Sequence, residues 1–355
     1  MKIVSVIGAR PQFIKAAVLS RALKEYKNVE EVIVHTGQHY DADMSDIFFS
    51  ELGIPQPMFN LNVSDYSHAE MTGRMMIAIE DVFNHVKPDV VIVYGDTNST
   101  LAASLVASKM HIPVAHVEAG LRSYNKRMPE EINRILTDHV SSYLFTPTKD
   151  ASNNLKNEGF ASEGVFEVGD VMYDATKLFY DSTFENKIGK DYILTTLHRA
   201  ENTNDLIILQ KFLQDICQIS HHIPVIFPLH PRTKKIIHQN KLTFDLTGSL
   251  HVINPVGYKE MLSLIANSLL VITDSGGLQK EAYFMGKKCL TYRNETEWTE
   301  LLDIGWNKLI KPGTESLTIQ EVNQFLAEDA SHSELYGSGN ASAKIASILL
   351  QAFSG

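Results

Sequence analysis

The stretch VVIVYGDTNSTLAASLVA at residues 90–107 decides the fold class. It begins as an apolar, β-branched run, passes through a small polar turn, and continues as a segment of helical period. A second stretch of the same form, LLVITDSGGLQKEAYFMG, occupies residues 269–286. Short apolar strands that alternate with helices are typical of parallel sheets covered on both faces. The chain is therefore predicted to be an α/β protein with two doubly wound sheets.

Further apolar runs extend this alternation in both directions, and the ~150 residues of an average domain also suggest two domains in a chain of 355. The additional predicted strands lie within residues 2–8, 30–37, 112–120, 191–199, 223–231 and 251–257. The polar stretch DSTFENKIGKD at 181–191 separates the two series. We expect an N-terminal Rossmann-like domain (1–172), a C-terminal Rossmann-like domain (190–335) and a final helix (336–355). The two domains are expected to face a cleft, with ligands at the carboxyl ends of the strands.

Composition excludes several classes of protein. With 32 Lys+Arg against 42 Asp+Glu the net charge is −10, which argues against a nucleic-acid or anionic-membrane partner. No uninterrupted apolar run approaches the ~18 residues of a membrane span. Two cysteines, Cys217 and Cys289, are too few for a disulfide framework and suit a reducing compartment, so we expect a cytoplasmic protein.

Charged residues follow the predicted strands of the first half. Arg10 and Lys15 lie beside a helix start and could bind an anion or serve the fold alone. Asp96 could cap the next helix or accept a proton. Glu118 ends an apolar strand, where a carboxylate needs a partner or a purpose. Glu130 and Glu131 begin a helix, and Arg134 follows them at i+4 and i+3. This spacing alone favours ordinary helix chemistry, whereas the position of Glu130 on the same rim as the other two acids favours catalysis.

The second half places two histidines, His198 and His230, at predicted strand ends, each near an arginine. Such residues suit phosphate binding or proton transfer, although a lone loop histidine is commonly structural. The helix that follows Asp274 begins with Ser275, Gly276 and Gly277, whose backbone N–H groups can meet a phosphate. Glu281 lies one turn further on, where a carboxylate could accept two ribose hydroxyls.

Three alternatives fail on spacing. The acidic run from Asp41 to Asp46 lacks the glycine and glutamate that an EF-hand loop needs. No Walker motif or strand-linked dinucleotide fingerprint occurs, which removes support for ATP and NAD. His35 and His39 flank a glycine that argues against a helical metal face, so we predict a loop role for them.

Seven motifs resemble, in their order, the non-hydrolysing UDP-N-acetylglucosamine 2-epimerases. They are GARPQFIK, YGDTNSTLA, HVEAGLR, MPEEINR, LHRAEN, DSGGLQKEA and YGSGNAS, at residues 8–15, 94–102, 116–122, 128–134, 197–202, 274–282 and 336–342. The resemblance covers essentially the whole chain. It implies a glycosyltransferase-B type fold whose last helix crosses back to the first domain, a UDP-sugar substrate, no cofactor or metal, and a homodimer.

The resemblance also implies roles for individual residues. Asp96, Glu118 and Glu130 match catalytic carboxylates, and His198 matches the active-site histidine. Two further groups match binding positions. The basic residues near the diphosphate and the active site are Arg10, Lys15 and Arg134, and the UDP-binding positions of the second half are Ser275 and Glu281, with Glu281 on the ribose. From the reading of the residues above, we add His230, Gly276 and Gly277 to the predicted substrate-binding residues.

Two departures point to a branch of that family. Gln12 stands where many members have glutamate, and the segment SYNKRM at 123–128 is short. Together with HTGQHYDADMSDIFF at 35–49, this pattern is closer to the enzymes that epimerise UDP-2,3-diacetamido-2,3-dideoxyglucuronate. The departures around residues 38–46 give no basis for assigning the allosteric UDP-N-acetylglucosamine site that some members have.

The implied reaction removes the C2 proton as UDP leaves C1, forms a glycal with a double bond between C1 and C2, and returns UDP after reprotonation on the other face. Two alternative functions remain: a glycosyltransferase that uses a UDP-sugar donor, and a UDP-sugar sensor without chemistry.

Overall fold

A computed structural model describes residues 1–38, 52–181, 189–243, 248–331 and 333–353. The acidic run at 41–46, His39 and most of the predicted linker lie outside these ranges. The chain forms two compact units: unit 1 comprises Met1–Leu178 and Glu334–Gly355, and unit 2 comprises Phe179–Ser333. Each unit has one parallel sheet with helices alternating along the chain, which confirms the predicted α/β fold with two sheets.

The sheet of unit 1 has the strand order β3-β2-β1-β4-β5-β6-β7. Its strands are β1 (Lys2–Ile7), β2 (Glu30–His35), β3 (Phe59–Asn60), β4 (Val90–Tyr94), β5 (Val114–Val117), β6 (Tyr143–Thr146) and β7 (Val165–Glu167). The chain builds outward from β1 on one side and then from β4 on the other. The switch point therefore lies between β1 and β4, where loops diverge and leave a crevice.

The described helices of unit 1 cover the sheet. They are α1 (Arg10–Leu23), α2 (His68–Val86), α3 (Asn98–Lys109), α4 (Pro129–Val140), α5 (Lys149–Asn157), α6 (Val171–Phe179, whose last residue belongs to unit 2) and α14 (Ala341–Ala352). The last helix packs against α1. Its first turn is held by the carboxylate of Asp174, which accepts the N–H groups of Ala341 at 3.0 Å and Ser342 at 2.8 Å.

Unit 2 repeats the arrangement with the strand order β10-β9-β8-β11-β12-β13 and a switch point between β8 and β11. Its strands are β8 (Tyr192–Thr196), β9 (Val225–Pro228), β10 (Leu250–Ile253), β11 (Ser268–Thr273), β12 (Lys288–Thr291) and β13 (Asn307–Leu309). Its described helices are α7 (Ala200–Thr203), α8 (Leu206–Ser220), α9 (Pro231–Gln239), α10 (Tyr258–Asn267), α11 (Gly276–Phe284), α12 (Thr299–Asp303) and α13 (Ile319–Ala327).

Each unit has its own apolar core between sheet and helices. In unit 1 the strand residues Val4, Val6 and Val91 pack with Ile79 of α2, and all four are fully buried. Burying such side chains contributes about 1.5–3 kcal/mol each. Among the described residues, none of the helices is both long enough and apolar enough to span a membrane.

Candidate functional site

The loop that follows β4 in unit 1 is held by three buried side chains from three different elements. The carbonyl oxygens of residues 94–96 each accept a hydrogen bond: from Gln12 Nε2 at 2.8 Å, His116 Nε2 at 2.7 Å and Asn133 Nδ2 at 2.9 Å, respectively. Three successive anchored peptides leave this loop little freedom. A loop so restrained is preorganised to present its side chains in one geometry.

Gln12 explains one departure from the family pattern. Its side-chain oxygen accepts the N–H groups of Gly8 at 2.7 Å and Ala9 at 3.0 Å, while its nitrogen donates to the Tyr94 carbonyl. A carbonyl oxygen can only accept, so an ionised glutamate at position 12 could not make that last bond. The amide joins the turn after β1 to the turn after β4.

Glu118, at the end of β5, has a left-handed backbone with φ of +75°. Such a conformation costs a non-glycine residue about 1–3 kcal/mol and tends to occur at functional sites. It is held in place because the Phe145 carbonyl accepts the N–H groups of both Glu118, at 3.1 Å, and Ala119, at 3.0 Å. The carboxylate of Glu118 forms an ion pair with Lys15, and both side chains are nearly buried.

Asp96 forms an ion pair with Arg134, which also binds Glu131 at 2.8 Å. The possibility that Asp96 caps the next helix is wrong. Thr97 is the cap of α3, since its hydroxyl accepts the Thr100 N–H. Asp96 is thereby available to the crevice.

A cavity of about 180 Å³ lies at the switch point of unit 1. It brings together Lys15, Asp96 and Glu130, three of the residues singled out from the sequence, and Glu118 adjoins it through Lys15. Arg10 is the first residue of α1 and is half-buried. Sequence reasoning did not assign a role at this site to several polar residues that also line the cavity: Gln12, Gln38, His68, Asn98 and Asn133. Two of them carried a signal in the sequence: Asn133 lies one helical turn after Glu130, and Gln12 departs from the family pattern.

Gly95 is expected to tolerate no side chain. Its φ is +62°, and a Cβ there would lie 3.3 Å from both Glu118 Oε2 and Lys15 Nζ. Gly95→Ala should therefore shift the ion pair and lower kcat by about 10²-fold, the loss that a 1 Å misplacement can cause. Gly159→Ala is the matched control, because Gly159 is also left-handed (φ +87°) and no described atom lies within 4 Å of the position that a Cβ would take there. Equal activity of the two purified variants would contradict the prediction.

Glu131 is buried beneath the site. Burial by itself would raise its pKa, but the N–H groups of Ser123 and Tyr124, at 2.9 and 2.8 Å, and the Arg134 guanidinium together hold the pKa below its ordinary value. Because the folded-state pKa is the lower one, ionised Glu131 stabilises the fold at pH values above its unfolded-state pKa of about 4.3. That stabilisation is lost as the pH falls through the folded-state pKa.

Glu131→Gln should consequently reduce the free energy of unfolding at pH 7 by about 1.5–3 kcal/mol, the contribution of hydrogen bonds to a charged group. The difference in the free energy of unfolding between Glu131→Gln and the unmodified protein should become smaller when unfolding is measured in urea at pH 4. Glu70→Gln is the control, since Glu70 pairs with Arg74 on the surface, where such pairs contribute about 0–1 kcal/mol. A deficit that stays constant between the two pH values would refute this assignment.

Unit 2 brings two of its candidate residues together at its own switch point. The backbone N–H of His198 donates to both oxygens of Asp274, at 3.1 and 3.0 Å, so the turn after β8 is tied to the turn after β11. The His198 ring lies 5.2 Å from that of His230, which follows β9. His198 Nδ1 is 3.3 Å from Asp274 Oδ1, so the same carboxylate also orients the ring.

The start of α11 is capped by Ser275, whose hydroxyl accepts the Leu278 N–H at 3.5 Å. Gly276 lies close to Glu297, because a Cβ on Gly276 would be 2.4 Å from Glu297 Oε1. At Gly277, by contrast, no described atom lies within 4 Å of the position that a Cβ would take. Glu281 lies further along α11 and is only 5% exposed. The helix start and a buried carboxylate thus share one element.

Glu297 was missed by sequence reasoning. Burial by itself would raise its pKa, but Arg293, whose Nη1 is 2.8 Å away, and Arg199 outweigh that effect and lower the pKa. No pattern in the sequence signals this cluster. Among the described residues, no group of three or more His, Cys, Asp and Glu is arranged to hold a metal ion.

These features define a class: an α/β protein with two doubly wound sheets, a carboxylate-rich site at the switch point of one sheet and a capped helix start at that of the other. The family model described as UDP-N-acetylglucosamine 2-epimerase matches residues 21–350. The UDP-2,3-diacetamido-2,3-dideoxy-D-glucuronate 2-epimerase of Pseudomonas aeruginosa is 50% identical, over 98% of this chain and 99% of that protein. A UDP-N-acetylglucosamine 2-epimerase homolog of Methanococcus maripaludis is 48% identical, over 98% and 99%.

Among solved structures, the UDP-GlcNAc 2-epimerase of Methanocaldococcus jannaschii in complex with UDP-GlcNAc and UDP has a TM-score of 0.89 and 41% identity. The match covers 99% of this chain and 100% of that one. The chain belongs to the UDP-N-acetylglucosamine 2-epimerase family and is an isomerase acting on a UDP-sugar.

Proposed function

We propose that this enzyme inverts C2 of UDP-2,3-diacetamido-2,3-dideoxy-D-glucuronate. The observation that carries the choice of sugar is the 50% identity, over nearly the full length of both chains, to the Pseudomonas aeruginosa enzyme named for that substrate. The structure bound to UDP-GlcNAc is less similar, at 41% identity. UDP-N-acetylglucosamine is the alternative substrate.

The C2 hydrogen of such a sugar is too weakly acidic for simple deprotonation. In the proposed route a carboxylate takes the C2 proton while the C1–O bond breaks, and the electron pair of that bond leaves with UDP. The product is a glycal with a double bond between C1 and C2. Protonation of C2 from the other face and return of the UDP oxygen to C1 complete the inversion with no net change in atoms or electrons.

We assign the proton transfers to Asp96, Glu118 and Glu130 in the N-terminal domain (1–172). Chemistry on two faces of one ring needs at least two acid/base groups. Support comes from the cavity that Asp96 and Glu130 line and from the left-handed backbone at Glu118. Lys15 forms an ion pair with Glu118, and Arg134 forms one with Asp96, so each of these two acids has a cation beside it.

We assign UDP binding to the C-terminal domain (190–335). The N–H groups that begin α11, at Ser275, Gly276 and Gly277, suit the diphosphate, and Glu281 suits the ribose hydroxyls. His198 and His230, stacked beside one another, suit the leaving phosphate. Arg10 of the first domain would add positive charge for the diphosphate as it leaves.

One incubation tests this reaction. The purified chain is mixed in D2O with UDP-2,3-diacetamido-2,3-dideoxyglucuronate or with UDP-N-acetylglucosamine, without any acceptor, and C2 is followed by NMR. Deuterium entering C2 of the first sugar as the epimer forms supports the proposal. Faster exchange of the second sugar would reassign the substrate, and no exchange in either would favour a glycosyltransferase or a sensor.

We further propose a cytoplasmic homodimer that supplies precursors for polysaccharide synthesis. Cys217 and Cys289 are both free thiols, as a reducing compartment would keep them. Ile132 and Leu136 lie one turn apart on α4 and are 45% and 43% exposed, an apolar surface suited to a subunit contact. A monomer mass by light scattering would overturn the dimer.

A further inference from the structure

A buried histidine of unit 1 contacts the loop that carries Asp96, one of the proposed acid/base groups. His116 lies inside β5 and is completely buried, with an apolar residue on either side in the sequence. Its Nε2 is 2.7 Å from the carbonyl oxygen of Gly95, and its Nδ1 is 2.7 Å from Asp138 Oδ1. Both ring nitrogens therefore have close oxygen partners.

The identity of those partners determines where the hydrogens are. A carbonyl oxygen can only accept, so Nε2 must carry a hydrogen. Asp138 also accepts, on its other oxygen, from Arg122 Nη1 at 2.7 Å and from the Gly120 N–H at 3.1 Å. These two donors favour the ionised form of Asp138 independently of the ring, and with Asp138 ionised Nδ1 carries a hydrogen as well.

Charge balance leads to the same conclusion. Arg122 makes two 2.7 Å hydrogen bonds to Glu158, so the cluster contains two acids and two bases in contact. With both acids ionised, the cluster is neutral when the imidazole is positive. With Asp138 ionised, a neutral imidazole would leave one uncompensated negative charge in a region where Asp138 and His116 have no exposed side-chain surface, which is costly.

We infer that His116 is an imidazolium that positions the Gly95–Asp96 peptide, and so sets the placement of Asp96 and Glu118 for the proton transfers. A Cβ on Gly95 would lie 3.3 Å from both Glu118 Oε2 and Lys15 Nζ, so the Gly95 backbone borders that ion pair, and Asp96 is the next residue. His116 holds the Gly95 carbonyl, and the neighbouring carbonyls are held by neutral amides, so this charge-assisted bond is the strongest of the three. The inference rests on the proposed roles of Asp96 and Glu118.

Two substitutions separate the two hydrogen bonds of the ring. An asparagine amide nitrogen reaches about as far from Cα as Nδ1, so His116→Asn can keep the bond to Asp138 and lose the one to Gly95. A glutamine amide nitrogen reaches about as far as Nε2, so His116→Gln can keep the bond to Gly95. Both remove the ring charge equally.

We expect His116→Asn to lower kcat at least about tenfold through displacement of the loop, with the KM and the affinity for UDP little changed. His116→Gln should retain more of kcat than His116→Asn. A merely structural role would instead lower the stability of both variants without this order in kcat. Equal kcat in the two folded variants, or wild-type kcat in His116→Asn, would overturn the inference.

A measurement on the unmodified enzyme keeps the inference testable if a variant fails to fold. In 15N-histidine-labelled protein, long-range 1H–15N spectra report whether each ring nitrogen carries a hydrogen. We identify His116 as the histidine whose ring hydrogens exchange most slowly with solvent, since its side chain is completely buried. We expect both of its ring nitrogens to be protonated at neutral pH, and a neutral ring would refute the inference. If Glu118→Gln keeps full activity the proposed acid/base role of Glu118 fails, whereas an inactive Glu118→Gln beside a fully active His116→Asn refutes only the role of His116.

Discussion

Replacing Glu118 by glutamine should lower kcat for C2 epimerisation by about 10²–10⁴-fold, the range that general acid/base catalysis supplies. The amide cannot accept the C2 proton, yet it has nearly the size of the carboxylate and can still accept a hydrogen bond from Lys15. The backbone bonds that hold the left-handed residue, to the Phe145 carbonyl, do not involve the side chain. The substitution should therefore slow the chemical step and leave the local fold unchanged.

Two measurements locate that loss. Affinity for UDP, measured by calorimetry, should remain close to that of the unmodified enzyme, while deuterium entry at C2 should fall in parallel with kcat. Glu70→Gln serves as control, since its carboxylate lies on the surface with Arg74. If Glu118→Gln turns over normally, Glu118 is not an acid/base group of the reaction and its carboxylate serves the fold.

The opposite pattern is expected for Glu281→Gln. A carboxylate that accepts two ribose hydroxyls contributes about 1.5–3 kcal/mol per hydrogen bond, so the affinity for UDP should fall by at least about tenfold. The substitution preserves side-chain volume in a nearly buried position on α11. KM should rise with the Kd of UDP, and saturating substrate should restore much of kcat.

Glu260→Gln is the control for this variant, because Glu260 is a half-buried carboxylate in the first turn of α10 of the same unit. It should bind UDP normally. Unchanged UDP affinity in Glu281→Gln would remove the ribose assignment, and a loss of kcat with unchanged KM would move Glu281 to the chemical step. Glu118→Gln and Glu281→Gln together distinguish an acid/base group from a binding group.

Several short strands could not be predicted. The long apolar runs that became β1, β4 and β11 carry a clear pattern, since a strand buried on both faces needs apolar residues throughout. By contrast, β7 and β13 have three residues each and β3 has two. So few residues show no periodicity, and these strands exist because a neighbouring strand provides their hydrogen bonds.

The candidate site likewise has features that the sequence predicts and features that it does not. That Asp96, Glu118, His198 and Ser275 follow strands was readable, because strand ends can be located from hydrophobicity. Their partners were not. Lys15 and Glu118 are 103 residues apart, and Asp96 and Arg134 are 38 apart. Arg134 follows Glu130 at i+4 and Glu131 at i+3, which suggested ordinary helix pairs. The pair with Glu131 forms, but Arg134 also pairs with Asp96, and Glu130 lines the cavity instead.

Local chemistry along the chain was enough to establish two sheets, the succession of their main strands along the chain and the loops that carry reactive side chains, since hydrophobic pattern and turn residues act over a few positions. Only the folded chain decided which side chains meet: that Gln12, His116 and Asn133 anchor one loop, that Thr97 rather than Asp96 caps α3, and that Glu118 is held in a left-handed backbone. The reason is physical. A buried polar group must find a partner in three dimensions, and the pairing depends on which elements the sheet order brings together.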